Sequence, residues 1–342
     1  MALLFLLFLN NLNVLTDLEQ ENRTCILVLG MHRSGTSAIT GALNCLGFSI
    51  GKFIMGGIDE NNEKGFFENI RLYRFNKNIF KEQALTWDTS NYIDFDQMKN
   101  SQSRTYRLEL KKIIRREFKE DPSNLVIKDP RICLLLPLYL RALKELGIEV
   151  RILFQIREPS QIATSLKKRD NLDVDNSYRI SINYLLQAEL NSRGYKRYVV
   201  TYKELMQTPQ ETLNASLAKL NLAHNNDFKS VSDLLDDKLY HNRNVELIPS
   251  GEHRTIRSIY SLLDKSRLEW QGGTDFILDE LRTNFYRRLS LEKVNEEKDK
   301  QILKLQKELR TEKKNISAFR KKLKNRNTQI LELQKKQEND SK

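Results

Sequence analysis

The sequence predicts an α/β protein built on a doubly wound parallel β-sheet, with helices on both faces and a helical or coiled-coil extension at its carboxyl end. Its 342 residues, 39% of them hydrophobic, are enough for one large domain with a real core plus an appendage. Four short apolar runs alternate with segments whose apolar residues recur at helical spacing. Strands that alternate with helices form parallel sheets covered on both sides, so this order indicates the α/β class.

The four apolar runs are typical of buried parallel strands, because each is rich in Val, Ile, Leu or aromatic residues and is bounded by polar or turn residues. They are Cys25–Leu29, Leu125–Ile127, Val150–Ile156 and Tyr198–Tyr202. A helix is predicted over Ser37–Leu46, whose apolar residues form one stripe and which ends at Gly47. Pro159 fits the first turn of another helix, where its missing N–H has no partner to lose.

Charged or glycine-rich residues follow three of these strands at their carboxyl ends. The first strand runs into residues 30–37, the second into Lys128-Asp129-Pro130-Arg131, and the third into Arg157-Glu158. Ligands of open α/β sheets bind outside the carboxyl ends of the strands, so we expect the three segments to converge on one crevice. Asp129 and Glu158 are candidate ion-pair partners for Lys128.

The segment after the first strand has the strand, loop and helix layout of a phosphate-binding loop, which predicts a sheet of the P-loop type. Its residues are Gly30, Met31, His32, Arg33, Ser34, Gly35, Thr36 and Ser37. Inward-facing N–H groups and the start of a helix favour an anion there. The nucleotide-triphosphatase form of the loop has a Lys where this chain has Thr36, and Arg33 can supply charge from another direction. His32 could contact phosphate or form a structural hydrogen bond.

The sequence GMHRSGTS resembles the 5′-phosphosulfate loop of sulfotransferases that use 3′-phosphoadenosine 5′-phosphosulfate (PAPS), particularly the bacterial group and the tyrosylprotein type. IREPSQIATS resembles the 3′-phosphate segment of the same family, with Arg157 and Ser165 at the matching positions. Eight residues carry the chain from a strand end to about the second turn of the next helix, so both side chains can reach one phosphate.

Three further segments extend the resemblance over residues 23–245 in the family's order. VIKDPR resembles the segment whose lysine, here Lys128, approaches the sulfuryl group. KGFFEN resembles the segment where some members place a carboxylate base, here Glu68, and residues 237–243 resemble the terminal segment of the bacterial group. The chain departs from cytosolic sulfotransferases at Asp129 and Pro130, which stand where those enzymes have a catalytic His.

The resemblance implies transfer of a sulfuryl group from PAPS to a hydroxyl acceptor, expected to be a carbohydrate or lipid-linked glycan, with no metal. It implies catalytic roles for Glu68, Lys128 and Arg33. The implied donor-binding residues are Gly30, His32, Arg33, Ser34, Gly35, Thr36, Ser37, Arg157 and Ser165. Two alternatives remain open at this stage: a P-loop kinase that uses ATP, and a nucleotide-binding coiled-coil scaffold without catalysis.

The positive charge of the chain is concentrated at its carboxyl end. Lys and Arg number 57 against 45 Asp and Glu, and residues 291–342 hold +7 of the resulting +12. No basic patch is interleaved with aromatic residues, so we expect no nucleic-acid partner. The three cysteines are widely spaced in apolar runs and predict neither a disulfide framework nor a metal site, which fits a cytoplasmic protein.

Residues 298–335 are predicted to form a coiled coil after a mixed helical linker at 246–297. One heptad seam consists of Ile302, Leu309, Ile316, Leu323 and Ile330, and the second contains Leu305, Phe319 and Leu333. Glu312 and Arg326 interrupt the second seam, so the coil is weak or selects its partner by charge. We expect a homo-oligomer or a partner helix through 301–335; the alternative is a solitary solvated helix.

The two ends of the chain are predicted to lie outside the folded domain. Residues 336–342 are expected to be a disordered tail, and residues 1–22 a loosely attached apolar segment. The run Ala2–Leu9 is shorter than the roughly 20 apolar residues that span a bilayer. The alternative is that this run belongs to a longer anchor, which would make the protein membrane-associated.

Overall fold

The computed structural model describes residues 23–55, 65–120, 124–235, 249–265 and 272–340. Within them, four parallel strands form one sheet in the order β2-β1-β3-β4. The strands are β1 (Thr24–Leu29), β2 (Leu125–Lys128), β3 (Glu149–Ile156) and β4 (Lys196–Thr201). The predicted parallel sheet is confirmed, and residues 1–22 and 237–243 lie outside the described residues.

Helices connect and follow the strands. Those before β3 are α1 (Thr36–Cys45), α2 (Ile70–Glu82), α3 (Asn100–Glu120) and α4 (Ile132–Glu145). Between β3 and β4 lie α5 (Pro159–Asp170) and α6 (Val174–Ser192), and after β4 come α7 (Tyr202–Gln207), α8 (Pro209–Lys219), α9 (Phe228–Leu234), α10 (His253–Lys265) and α11 (Gly272–Asp340). No described helix has an apolar stretch long enough to cross a membrane.

Both faces of the sheet are buried. Alternate strand residues such as Val28, Leu153 and Val200 join one core cluster with α1, α7 and α8. The residues between them, such as Leu27 and Ile152, are equally buried on the opposite face, where α4 packs against β1 and β3. Each such aliphatic side chain contributes about 1.5–3 kcal/mol when it leaves water, so the core holds the strand ends in fixed positions.

Two predicted boundaries shift for local reasons. The strand expected to end at Tyr202 ends at Thr201, whose hydroxyl accepts a hydrogen bond from the Glu204 N–H and so begins α7. Helix α1 begins one residue earlier than predicted, at Thr36, and is followed by Gly47 with a φ of 92°. Pro159 does occupy the first turn of α5, as predicted.

The chain divides into two compact units, one ending at Leu278 and the other beginning at Asp279. The second unit contains most of α11, a helix of 69 residues in all. Its heptad residues from Ile302 onward are exposed in the described structure. The first unit contains the sheet and every residue predicted to bind or transform a ligand.

Candidate functional site

The loop between β1 and α1 packs tightly against neighbouring residues at both of its glycines. A Cβ atom on Gly30 would lie 2.4 Å from the Gln155 carbonyl oxygen of β3, and one on Gly35 would lie 2.2 Å from the ring of Tyr202. Gly35 also has a φ of 95°, which strains any residue with a Cβ. The loop therefore needs glycine at both positions to pass this close to the carboxyl end of the sheet.

Two polar atoms of the loop are buried without a hydrogen-bond partner among the described residues: the Ser34 hydroxyl and Nε2 of His32. A structural hydrogen bond from this His32 nitrogen is therefore not formed. Buried polar atoms are nearly always paired in folded proteins, so such atoms in a loop of this shape point to a ligand. The Ser34 hydroxyl and, in one tautomer, the Nε2–H of His32 can donate hydrogen bonds, which fits a bound anion.

We call Lys128, Glu68 and Ser37 the lysine side of the site. Lys128 is the last residue of β2, and its ammonium group lies 2.7 Å from Glu68 Oε1 and 3.1 Å from the Ser37 hydroxyl in the first turn of α1. Both charged side chains are buried. A cation from the neighbouring strand thus reaches the start of α1, where Thr36 is buried and offers no charge.

The surroundings of the Glu68 carboxyl raise its pKa. Burial raises its pKa above the ordinary glutamate value, while the positive charge of Lys128 acts in the opposite direction and Asp129 adds to the increase. Glu68 precedes the Asn69 cap of α2, whose side chain accepts hydrogen bonds from the first N–H groups of that helix. The cap fixes the backbone that carries the carboxylate.

Asp129 does not pair with Lys128. Asp129 follows the last residue of β2, and its carboxylate accepts two hydrogen bonds from the Arg131 guanidinium, at 2.8 and 2.7 Å. The amide of Asn76 donates to the same carboxylate at 3.0 Å, and the Tyr139 hydroxyl donates to Asn76. This buried network supports the turn after β2, so Asp129 is a structural residue and Lys128 remains available to Glu68.

We call Arg33, Arg157 and Ser165 the arginine side. Arg33 Nε donates to the Ser165 hydroxyl at 2.8 Å, and Arg157 donates to the Arg33 carbonyl at 3.2 Å and to Gln161 at 2.9 Å. The Arg157 guanidinium also lies 4.3 Å from the centre of the Tyr202 ring, a cation–π distance. Arg33 itself has a φ of 68°.

Positive charges crowd the loop. Burial lowers the pKa of Arg33, and the charges of Arg169 and Arg157 lower it further. Burial likewise lowers the pKa of His32, with smaller effects from Arg131, Arg169, Lys128 and Arg33. His32 is therefore neutral near pH 7, and the like charges around it would be relieved by a bound anion.

The ring of Trp87 forms an aromatic wall beside the loop. No sequence motif predicted this wall. The Trp87 ring lies 4.8 Å from His32, and the Arg169 guanidinium lies 5.1 Å from Trp87. The sequence also did not predict the roles of Tyr202, Asn76 and Gln161. Tyr202 and Asn76 contact residues that are distant in the chain, and Gln161 contacts Arg157 across one helical turn. Trp87 precedes a run of polar residues and belongs to no recognisable sequence motif, so its position in the site could not be predicted.

The structure brings the predicted site residues to one edge of the sheet, around the loop. The lysine side and the arginine side lie at the carboxyl ends of β2 and β3, on either side of β1. Within the described residues, no group of three or more His, Cys, Asp or Glu side chains is placed to hold a metal ion.

Comparison with known proteins gives distant structural likenesses. No family model matches the chain, and no curated protein matches its sequence. A sulfotransferase domain from the curacin biosynthetic pathway matches with 15% identity and a TM-score of 0.45, over 70% of this chain and 98% of that one. The sulfotransferase domain of the Synechococcus PCC 7002 olefin synthase gives 12% and 0.44, over 70% and 96%. A sulfotransferase from Mycobacterium avium gives 11% and 0.40, over 72% and 77%.

Proposed function

We propose that this protein is a P-loop sulfotransferase that moves the sulfuryl group of PAPS to a hydroxyl of an acceptor. The observation that carries the proposal is the lysine side: a buried Lys128 that contacts both Glu68 and Ser37 at the start of α1. A cation, a carboxylate and a helix N-terminus at one point can stabilise a leaving phosphate and accept a proton.

The arginine side supports a donor with a second phosphate. Arg33, Arg157 and Ser165 are joined by hydrogen bonds at the carboxyl end of β3. Arg157 carries a planar fork that suits phosphate, and the Ser165 hydroxyl can donate its proton to an anion while it accepts from Arg33. PAPS has a 5′-phosphosulfate and a 3′-phosphate, and we assign the first to the loop and the second to the arginine side.

The chemistry follows from the groups of the lysine side. An acceptor hydroxyl oxygen forms a bond to sulfur while the bond from sulfur to the 5′-phosphate oxygen breaks, and that oxygen keeps the electron pair. Glu68 takes the acceptor proton, and its raised pKa makes it a better base than an ordinary glutamate. Lys128 and the loop N–H groups stabilise the charge that develops on the leaving phosphate.

The acceptor is proposed to be a carbohydrate or lipid-linked glycan, a class that the resemblance of the sequence motifs implies. The aromatic wall at Trp87 supports this choice, because aromatic rings give a sugar a large rigid contact surface next to the loop.

The direct test is to incubate the full chain with radiolabelled PAPS and a series of glycans, and to identify the product that acquires label. We expect labelled glycan and a thermal stabilisation of the protein by 3′-phosphoadenosine 5′-phosphate, since a ligand that binds only the native state raises its stability. Stabilisation without any labelled product would favour the scaffold. Transfer of labelled γ-phosphate from ATP, without binding of PAPS, would favour a kinase instead.

A further inference from the structure

The second compact unit carries two apolar seams on one face of α11. Their members are the eight side chains Ile302, Leu305, Leu309, Ile316, Phe319, Leu323, Ile330 and Leu333, which are 46–65% exposed in the described structure. The seams run for about 46 Å, at 1.5 Å of rise per residue. Side chains repeated every seven residues pack by inserting into the facing helix of a coiled coil.

We propose that this face binds the same face of a second copy of the chain, with the two helices antiparallel. In the proposed register Ile316 of each copy lies opposite Phe319 of the other, and Ile302 lies opposite Leu333. Each further layer then pairs a residue of the first seam with a residue of the second, because seams exchange partners when one helix is reversed.

Charge within the seams decides between the two orientations. In a parallel pair, Glu312 would face Glu312 of the second copy, and Arg326 would face Arg326. Each pair would place two like charges in the core of the interface, which is costly when water is excluded. A parallel homodimer is therefore disfavoured by two layers out of ten.

The antiparallel register brings these same charges together with opposite signs. Arg326 faces Leu309 of the second copy, and the neighbouring layer contains Glu312 of that copy. Glu308, which flanks the first seam, then lies close to Lys322 of the second copy. By symmetry, each of these contacts occurs twice, so Glu308, Glu312, Lys322 and Arg326 gain neighbours of opposite sign, whereas the two basic residues that flank the second seam, Lys313 and Arg320, do not.

The excess of positive charge on this helix does not oppose the pairing strongly. Residues 301–335 contain eleven Lys or Arg and three Glu, and seven of the basic residues lie away from the seams and the positions that flank them. Charges on the outer faces of two paired helices are further apart than the Debye length of about 8 Å at physiological salt, so they are largely screened.

The first test measures the oligomeric state of the full chain by analytical ultracentrifugation. We expect a dimer. Leu305→Ser, in the second seam, should weaken dimerisation at least about ten-fold, because it removes a buried leucine from two symmetric layers. Leu303→Ser is the matched control: Leu303 is 54% exposed against 57% for Leu305, but it lies outside both seams. A monomeric full chain, or equal effects of the two substitutions, would overturn the proposal.

The second test separates the orientations by exchanging charges. Glu312→Arg or Arg326→Glu alone should weaken an antiparallel dimer about ten-fold, because each turns two attractive contacts into repulsive ones. The double variant should regain the original affinity. In a parallel dimer each single exchange only replaces one pair of like charges by another, so unchanged affinity in both single variants would contradict the antiparallel arrangement.

Oxidative cross-linking gives an independent readout of the orientation. A chain with both Ile302→Cys and Leu333→Cys should form covalent dimers, because these positions face each other between copies and lie about 46 Å apart within one helix. Ile302→Cys alone should not cross-link, and the unmodified chain with its own three cysteines is the background control. Efficient dimers from the single variant would show a parallel pair and overturn the proposal.

Discussion

The two sides of the candidate site both present cations to the same loop, but the described contacts of those cations differ. On the lysine side, Lys128 is held 2.7 Å from the buried carboxylate of Glu68. On the arginine side, the described contacts include a hydrogen bond from Arg33 to the Ser165 hydroxyl and bonds from Arg157 to the Gln161 amide and a backbone carbonyl.

This difference assigns different tasks to the two sides. Glu68 can accept the proton of the acceptor hydroxyl, and Lys128 then keeps its positive charge for the leaving phosphate, which suits the bond-breaking step. The guanidinium groups of the arginine side offer planar sets of donors that match the oxygens of a phosphate, which suits binding. Substitutions on the lysine side should therefore affect turnover, and those on the arginine side should affect donor affinity.

The largest effect is expected from Lys128→Met. It removes the cation from the leaving phosphate and leaves Glu68 buried without that partner, so Glu68 becomes protonated and loses its ability to accept a proton. We expect kcat for sulfuryl transfer to fall by about 10³-fold or more. Lys111→Met is the control, since Lys111 pairs with Glu145 on the surface of α3 and α4. Turnover within a few-fold of the unmodified chain would refute the assignment of Lys128.

Loss of stability has to be separated from loss of catalysis at this position. Removing one partner of a buried ion pair costs about 3–5 kcal/mol, because the other group must stay charged without a partner or change its protonation state. The double variant Lys128→Met with Glu68→Gln removes both charges and should recover much of the thermal stability but none of the activity. Recovery of both would mean that the pair has only a structural role.

The next largest effect concerns Glu68 and pH. Burial raises the pKa of this carboxyl above its ordinary 4.5, and a base must be ionised to accept a proton. Activity should therefore be present above the raised pKa and fall as the pH drops through it. Glu68→Gln should lower kcat by roughly 10²–10⁴-fold and remove this acidic limb from the pH profile of kcat. Glu145→Gln, a surface glutamate that also pairs with a lysine, should leave the profile unchanged.

A smaller effect, and one on binding, is expected from Arg157→Lys. Lysine keeps the charge but lacks the planar fork that donates to two acceptors and stacks on the Tyr202 ring. We expect the Kd for 3′-phosphoadenosine 5′-phosphate to rise about 10–100-fold by calorimetry, with kcat at saturating donor changed far less. The exposed Arg141, which pairs with Asp96, supplies the control substitution Arg141→Lys. A fall in kcat with unchanged affinity would break the division between the two sides.

Sequence reasoning predicted the sheet well because its signals are local. Runs of Val, Ile and Leu around Leu27 and Ile152 form strands wherever both faces are covered, and the strand order places their carboxyl ends together. The glycines of the loop are visible in sequence, but the reason for Gly35 is not. It needs the Tyr202 ring, which is 167 residues away in the chain and packs where a Cβ would be.

The partners of the charged residues were harder to predict than their convergence. Lys128 has Asp129 beside it in the sequence, yet it pairs with Glu68, while Asp129 pairs with Arg131. Asn76, on α2, completes the network of Asp129 through a contact over 53 positions. Such pairings depend on the rotamers of buried side chains in the packed core, and periodicity of the sequence carries no information about them.

The smallest effect is expected from Ser165→Ala, the most sensitive test of the arginine side. This change removes the acceptor of the Arg33 Nε–H, 2.8 Å away, and a hydroxyl that can donate to the 3′-phosphate, but it removes no charge. One or two hydrogen bonds of about 0.5–1.5 kcal/mol each predict a Kd for 3′-phosphoadenosine 5′-phosphate that rises about 3–30-fold. Thr164→Val, one residue earlier on α5, loses only a bond to its own helix and should leave the affinity unchanged. If adenosine 5′-phosphosulfate, which lacks the 3′-phosphate, lost affinity to the same extent in Ser165→Ala, the 3′-phosphate would have to be assigned elsewhere.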